Sequence, residues 1–286
     1  MKKARIFLLT FSAVLFFSIL FFACNKSVSN TNSATDEQKA QLTASSVAQD
    51  QADGAFDDVF ANVMGVNADI GIGGGIGVFN FDRCFTVTIT PNDPHTFPKT
   101  VVIDFGTGCT GFDGITRRGK IITVYTGPIV LPGSKATTTF DGFYRDSIKV
   151  EGTHIVENVS TDSHFIFNIK VENGKLTAPS GNFIMWNKNI TIKQIEGSAT
   201  IHDPLDDVFS ITGSGNGTVK KDTTTLQWTA ESLDPLIRKF LCRWAIKGSL
   251  KITVNGITGI LDYGNGDCDN KATLKIGGTV INITLP

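Results

Sequence analysis

Residues 249–264, Ser249-Leu-Lys-Ile-Thr-Val-Asn-Gly-Ile-Thr-Gly-Ile-Leu-Asp-Tyr-Gly264, decide the fold. Apolar and polar side chains alternate along SLKITVNG (249–256), and a second strand-like run, GITGILDYG (256–264), follows at once. A period of two marks a strand with one buried face, and the Asn and Gly between the runs mark a turn.

The same reading extends outward over most of the chain. FTVTIT (85–90), TVVIDF (100–105), KIITVYT (120–126), SIKVEGTHIVENV (147–159), HFIFNIKV (164–171) and NITIKQIEG (189–197) alternate or are β-branched. FSITG (209–213), TTLQWTA (224–230), ATLKI (272–276) and TVINITL (279–285) do the same, with Gly, Pro, Asn or Asp between most runs. This spacing predicts an all-β fold over 79–286: one antiparallel β domain, a sandwich or a strongly curved roll. Gly152, Gly197, Gly213 and Gly248 interrupt strand patterns, as glycines at bulges or bends do. Ser232–Phe240 is the one later stretch with a helical look, interrupted at Pro235.

Toward the N-terminus the period changes. Within 36–64, Ala52, Ala55, Phe56, Val59, Phe60, Val63 and Met64 recur at three- and four-residue steps, predicting a helix packed on its own domain. Gly71-Ile-Gly-Gly-Gly-Ile-Gly77 ends that pattern; it has no G-x-G-x-x-G frame and reads as a connector closing the segment 36–78. Residues 24–35 are rich in Ser, Asn and Thr, the composition of a flexible tether.

Ahead of the tether stand Lys2, Lys3 and Arg5, an apolar run from Ile6 to Phe22, then Ala23-Cys24. A basic start and an apolar stretch closing on a small residue form a secretory signal over 1–23. Leu20-Phe-Phe-Ala23 before Cys24 looks like a lipobox, with Cys24 the acylated new N-terminus. Ordinary cleavage after Ala23 would want a small residue where Phe21 stands. An uncleaved span needs about 20 apolar residues, and this run is interrupted by Thr10, Ser12 and Ser18. The expectation is a protein of the cell envelope, at the outer membrane, held to the bilayer by lipid on Cys24.

The other four cysteines fall in two similar settings. Cys84 leads to Ile103-Asp-Phe-Gly-Thr-Gly-Cys109, and Cys242 leads to Leu261-Asp-Tyr-Gly-Asn-Gly-Asp-Cys268. An even count in an exported chain argues for disulfides. The repeated setting favours Cys84–Cys109 and Cys242–Cys268, each worth roughly 3–4 kcal/mol through the loop entropy it removes. A zinc site would want a C-x2-C pair, which is absent.

Removing Lys2, Lys3 and Arg5 from the 26 basic residues leaves 23 against 27 acidic, a net of −4, which disfavours nucleic acid as a partner. No residue is expected to be catalytic, to bind a metal or to hold a cofactor. His202-Asp-Pro-Leu-Asp-Asp207 and the turn Asp262, Asn265, Asp267, Asp269 have oxygen ligands but no EF-hand spacing, and read as structural turns. His95, His154 and His164 are scattered, and no G-x-S-x-G elbow exists. Phe140, Phe143, Tyr144, Trp186, Trp228 and Trp244 would stack sugars if they faced solvent; filling the core is their default.

The phenylalanine-rich signal ending at Cys24, FDDVFANVMGV (56–66), RRGKIITVYTG (117–127) and Asp262-Tyr-Gly-Asn-Gly-Asp-Cys-Asp-Asn270 resemble a group of Bacteroidota-type envelope lipoproteins with no assigned activity. The resemblance implies localisation. In that setting Asp146-Ser-Ile148 and Asp222-Thr-Thr224 look like short O-glycosylation sites, on Ser147 and Thr223. The sequence thus leads to a lipid-anchored envelope protein with a binding or structural role, its partner a glycan or an envelope protein. A polysaccharide hydrolase and a lipid or lipoprotein carrier are the alternatives.

Overall fold

The structure is a computed structural model, and it describes residues 35–48, 52, 84–93, 95–111, 114–161, 164–200 and 204–285. The signal, Cys24, the apolar stripe from Ala55 to Met64, the connector at Gly71–Gly77, and His202 and Asp203 lie outside the described residues.

Among the described residues, fourteen strands form one sheet. They are β1 (Thr86–Thr90), β2 (Lys99–Asp104), β3 (Cys109–Thr110), β4 (Thr116–Tyr125), β5 (Lys135–Arg145), β6 (Ile148–Asn158) and β7 (Ile166–Thr177). They continue as β8 (Phe183–Glu196), β9 (Val208–Lys221), β10 (Thr224–Lys239), β11 (Lys247–Val254), β12 (Ile257–Asn265), β13 (Lys271–Ile276) and β14 (Thr279–Thr284). The order is β1-β2-β4 and then strictly sequential to β14, with the two-residue β3 pairing β4. Every pairing is antiparallel. The all-β expectation is met by one continuous meander, open at β1 and β14.

Alternation places one set of side chains inward. Ile103, Ile121, Phe143, Val150, Trp186, Trp228, Ile252, Leu261 and Leu274 are all buried and belong to one apolar cluster. Each buried aliphatic side chain contributes about 1.5–3 kcal/mol relative to exposure. The outer face carries exposed cross-strand ion pairs such as Lys120–Asp104 at 3.4 Å and Lys135–Glu157 at 3.6 Å. Exposed pairs of this kind contribute little.

Gly152 and Gly248 stand at register shifts of the sheet. Gly152 sits at φ +118°, the β6–β7 register shifts between Glu151 and Thr153, and a Cβ there would strike the backbone of Gly174. Gly248, at φ +107°, stands at the β11–β12 shift between Lys247 and Ser249. Gly197 follows the end of β8 and Gly213 lies inside β9, where Ser232 Oγ accepts the Gly213 N–H at 3.1 Å and donates to its carbonyl at 3.2 Å. The helical look of Ser232–Phe240 is overturned. Ser232–Lys239 continue β10, Phe240 stands in the turn after it, and register shifts on both sides of Asp234 take up Pro235, whose missing N–H no regular ladder would tolerate.

The α-helix α1 (36–48) belongs with the sheet to the same compact unit, Ser33–Pro286. It begins on a capping box. Thr35 Oγ1 accepts the Gln38 N–H at 3.2 Å, and Gln38 Oε1 accepts the Thr35 N–H at 2.8 Å. Asp36 and Glu37 in its first turn suit the positive helix end. Leu42, Ser45, Ser46 and Ala48 are buried, and Asn255 Nδ2 donates to Gln41 Oε1 at 3.4 Å across to the β11–β12 turn.

Candidate functional site

A meander puts alternate turns at the same end of the sheet. The β5–β6, β7–β8, β9–β10 and β11–β12 turns share one end, and α1 lies over the inner face beside it. The turns are cross-tied: Asp146 Oδ1 accepts the Thr116 N–H at 3.0 Å, and Asn182 Oδ1 accepts the Asp222 N–H at 2.8 Å. Asp146 and Asp222 have φ of +53° and +54°, a conformation Asp tolerates better than most residues. Ser147 and Thr223, the second residues of these turns, are exposed. The two Asp-Ser/Thr stretches therefore have a structural role as hairpin turns.

Between α1 and this end of the sheet lies a half-open pocket of about 590 Å³. Its sheet wall is Val150, Leu176, Ile184, Val219 and Leu226, and α1 contributes Ala44, Val47 and Ala48. The small residues on α1 leave the space that larger ones would fill. Arg145, Lys220, Lys221, Arg243 and one carboxylate, Asp146, are also among its lining residues, and Asp146 is engaged with the Thr116 N–H. Lys220 Nζ lies 6.0 Å from the Phe183 ring centroid, and Arg243 lies 5.3 Å from that of Trp244. Pockets of roughly 300–1,000 Å³ with apolar walls and a few polar groups are the usual form of small-molecule sites.

The opposite face of β7–β11 carries a second concavity of about 1060 Å³ and different chemistry. Asn187, Asn189, Ser214, Asn216 and Thr229 line it, with the ion pairs Lys170–Glu172 at 2.5 Å and Lys251–Glu231 at 2.8 Å beside them.

The aromatic residues do not form a sugar platform. Trp186 and Trp228 are 2% and 3% exposed, and Phe143 is 1% exposed. Phe140 and Trp244 pack against the core, and Tyr144 is covered by Arg118, whose guanidinium lies 3.6 Å from the ring centroid.

Both expected disulfides form, Cys84–Cys109 with Cα atoms 5.4 Å apart and Cys242–Cys268 at 5.7 Å. Each staples the open end of one hairpin, β1–β2 or β11–β12. The sequence echo between them is also conformational. Asp104 Oδ1 accepts the Gly106 N–H at 2.8 Å, and Asp262 Oδ1 accepts the Gly264 N–H at 2.8 Å, with both glycines at positive φ. The Gly106 N–H, aided by Lys120, holds the Asp104 carboxyl below the usual carboxylate range.

The acidic stretches act as turns. Asp206 accepts the Thr200 hydroxyl at 2.8 Å, Asp207 accepts Gln194 Nε2 at 2.7 Å, and Asp269 accepts the Lys271 N–H at 2.9 Å. Among the described residues, no three His, Cys, Asp or Glu side chains gather where they could hold a metal ion. His154 is buried in β6 opposite Thr138. No described helix is long and apolar enough to cross a membrane.

No family model, curated protein or solved structure matches the chain. The resemblance to envelope lipoproteins rests on the quoted residues alone.

Proposed function

We propose that this is a lipid-anchored envelope protein, held to a membrane through acylated Cys24, whose β domain binds an apolar chain without transforming it. The observation that carries the reading is the pocket between α1 and the sheet, about 590 Å³, walled by Leu176, Ile184, Val219 and Leu226. Of the functions weighed from the sequence, a carrier is the one that calls for such a space. A polysaccharide hydrolase needs paired carboxylates in a groove, with sugar-stacking aromatics beside them; the buried indoles of Trp186 and Trp228 lend that alternative no support.

The test is a photoactivatable fatty acid supplied to envelope membranes containing the full chain. Crosslinks mapped by mass spectrometry should fall on α1 and on β7–β9, and Leu176→Trp should abolish them by filling the space. Crosslinks scattered over the surface, or unchanged in Leu176→Trp, would remove the reading. The anchor is tested separately: radiolabelled palmitate should enter the wild-type chain and not Cys24→Ser.

A second reading, a glycan on the outer face, is favoured by the side-chain amides of Asn187, Asn189 and Asn216 in the polar concavity. Binding to envelope glycans that survives Leu176→Trp and is lost in an Asn189→Leu, Asn216→Leu pair would establish it; absence of glycan binding would dismiss it.

A further inference from the structure

Resting on the pocket reading above, we infer that the ligand is an amphiphile with a single chain and an anionic head. Two independent observations converge on this. The pocket, about 590 Å³ and half-open, has room for one long chain.

The second observation is charge. The full chain is nearly neutral, with a formal net charge of −1, yet Lys221 and Arg243 both line this space. Lys221 shares the inward parity of Val219 on β9. Arg243 arrives from a different part of the sheet, in the β10–β11 loop next to Cys242, whose disulfide to Cys268 fixes that loop. The acids of α1, Asp36 and Glu37, lie at the end of the helix away from its lining residues Ala44, Val47 and Ala48. A head placed at the mouth thus meets guanidinium and ammonium donors while its chain stays among Val150, Leu176 and Ile184. A carboxylate and a phosphate monoester share this chemistry.

The experiment compares three photoactivatable probes with the same chain and different heads: a free carboxylate, a lysophosphatidate and a neutral monoacylglycerol. Each is presented to the full chain in neutral vesicles at equal surface density. The expected result is at least about tenfold more pocket crosslinking by one or both anionic probes, the lower end of what one charge-assisted hydrogen bond gives. Carboxylate over phosphate, or the reverse, identifies the source of the head. Lys221→Gln with Arg243→Gln should bring the anionic probes down to the neutral level while leaving the neutral probe unchanged. Equal crosslinking by all three probes overturns the anionic head and leaves the pocket reading standing. Absence of pocket crosslinking by every probe overturns both.

Discussion

The Trp228 indole on β10 lies flat over Gly217 on β9, its Cε2 and Cζ2 only 2.7 Å from where a glycine Cβ would stand. The arrangement repeats one strand pair away, where Trp186 covers Gly174. Gly174, Trp186, Gly217 and Trp228 thus form one cross-strand row over β7–β10. Glycines that weaken a strand are offset here by aromatic cover. Gly217→Ala should destabilise by about 1–3 kcal/mol through overpacking, and Trp228→Ala by about 3–5 kcal/mol through the cavity it leaves. Urea unfolding should show a lower midpoint at unchanged slope in both.

Replacing both Cys242 and Cys268 by serine should cost about 3 kcal/mol. It should also free the loop carrying Arg243, so anionic probes should lose pocket crosslinking more than neutral ones do. The parallel change at Cys84 and Cys109 should lower stability and leave that preference intact. Unfolding midpoints and crosslink ratios on the same samples separate the two effects.

Asp104 gives a pH signature. Its carboxyl is depressed in the folded state by the Gly106 N–H and by Lys120. Its stabilising contribution is therefore fully present above the unfolded carboxylate value, near 4, and is lost as pH falls through the lower folded value. Asp104→Asn should flatten the acid side of the stability curve below about pH 4 and leave the neutral region parallel to wild type. Unfolding midpoints taken from pH 6 down to pH 2 decide this; a curve as steep as wild type would refute it.

Thr35→Ala removes half of the capping box and should cost about 1 kcal/mol. The loss should be local, with faster amide exchange in 36–48 and none in β8–β12. Because α1 forms one wall of the pocket, crosslinking by every probe should fall together, whatever the head.

The sequence made the strands legible wherever alternation was clean, and it failed where turn-like residues lie inside strands. β5 went unseen because Asp141-Gly142 looks like a hairpin turn; it is instead an irregularity within the strand, with Gly142 at φ +55° and a register shift between Thr138 and Tyr144. β9 was cut short at Gly213 because Gly-Ser-Gly-Asn-Gly looks like a loop; ladder pairing to β8 and β10 and the Trp228 indole over Gly217 keep it extended. The disulfides were legible because two settings echoed each other. The pocket was not, since its walls come from α1 and several hairpins, and each mouth cation taken alone looks like an ordinary solvated side chain.

The strictly sequential meander has a consequence for how the molecule is made. Beyond β4, each strand's first partner is the strand just before it, so loop closures stay short and the entropy lost per step stays small. A chain of this order can add hairpins as they emerge, each new strand covering the edge left by the last. The second staple must wait until β12 is made, because Cys268 follows that strand.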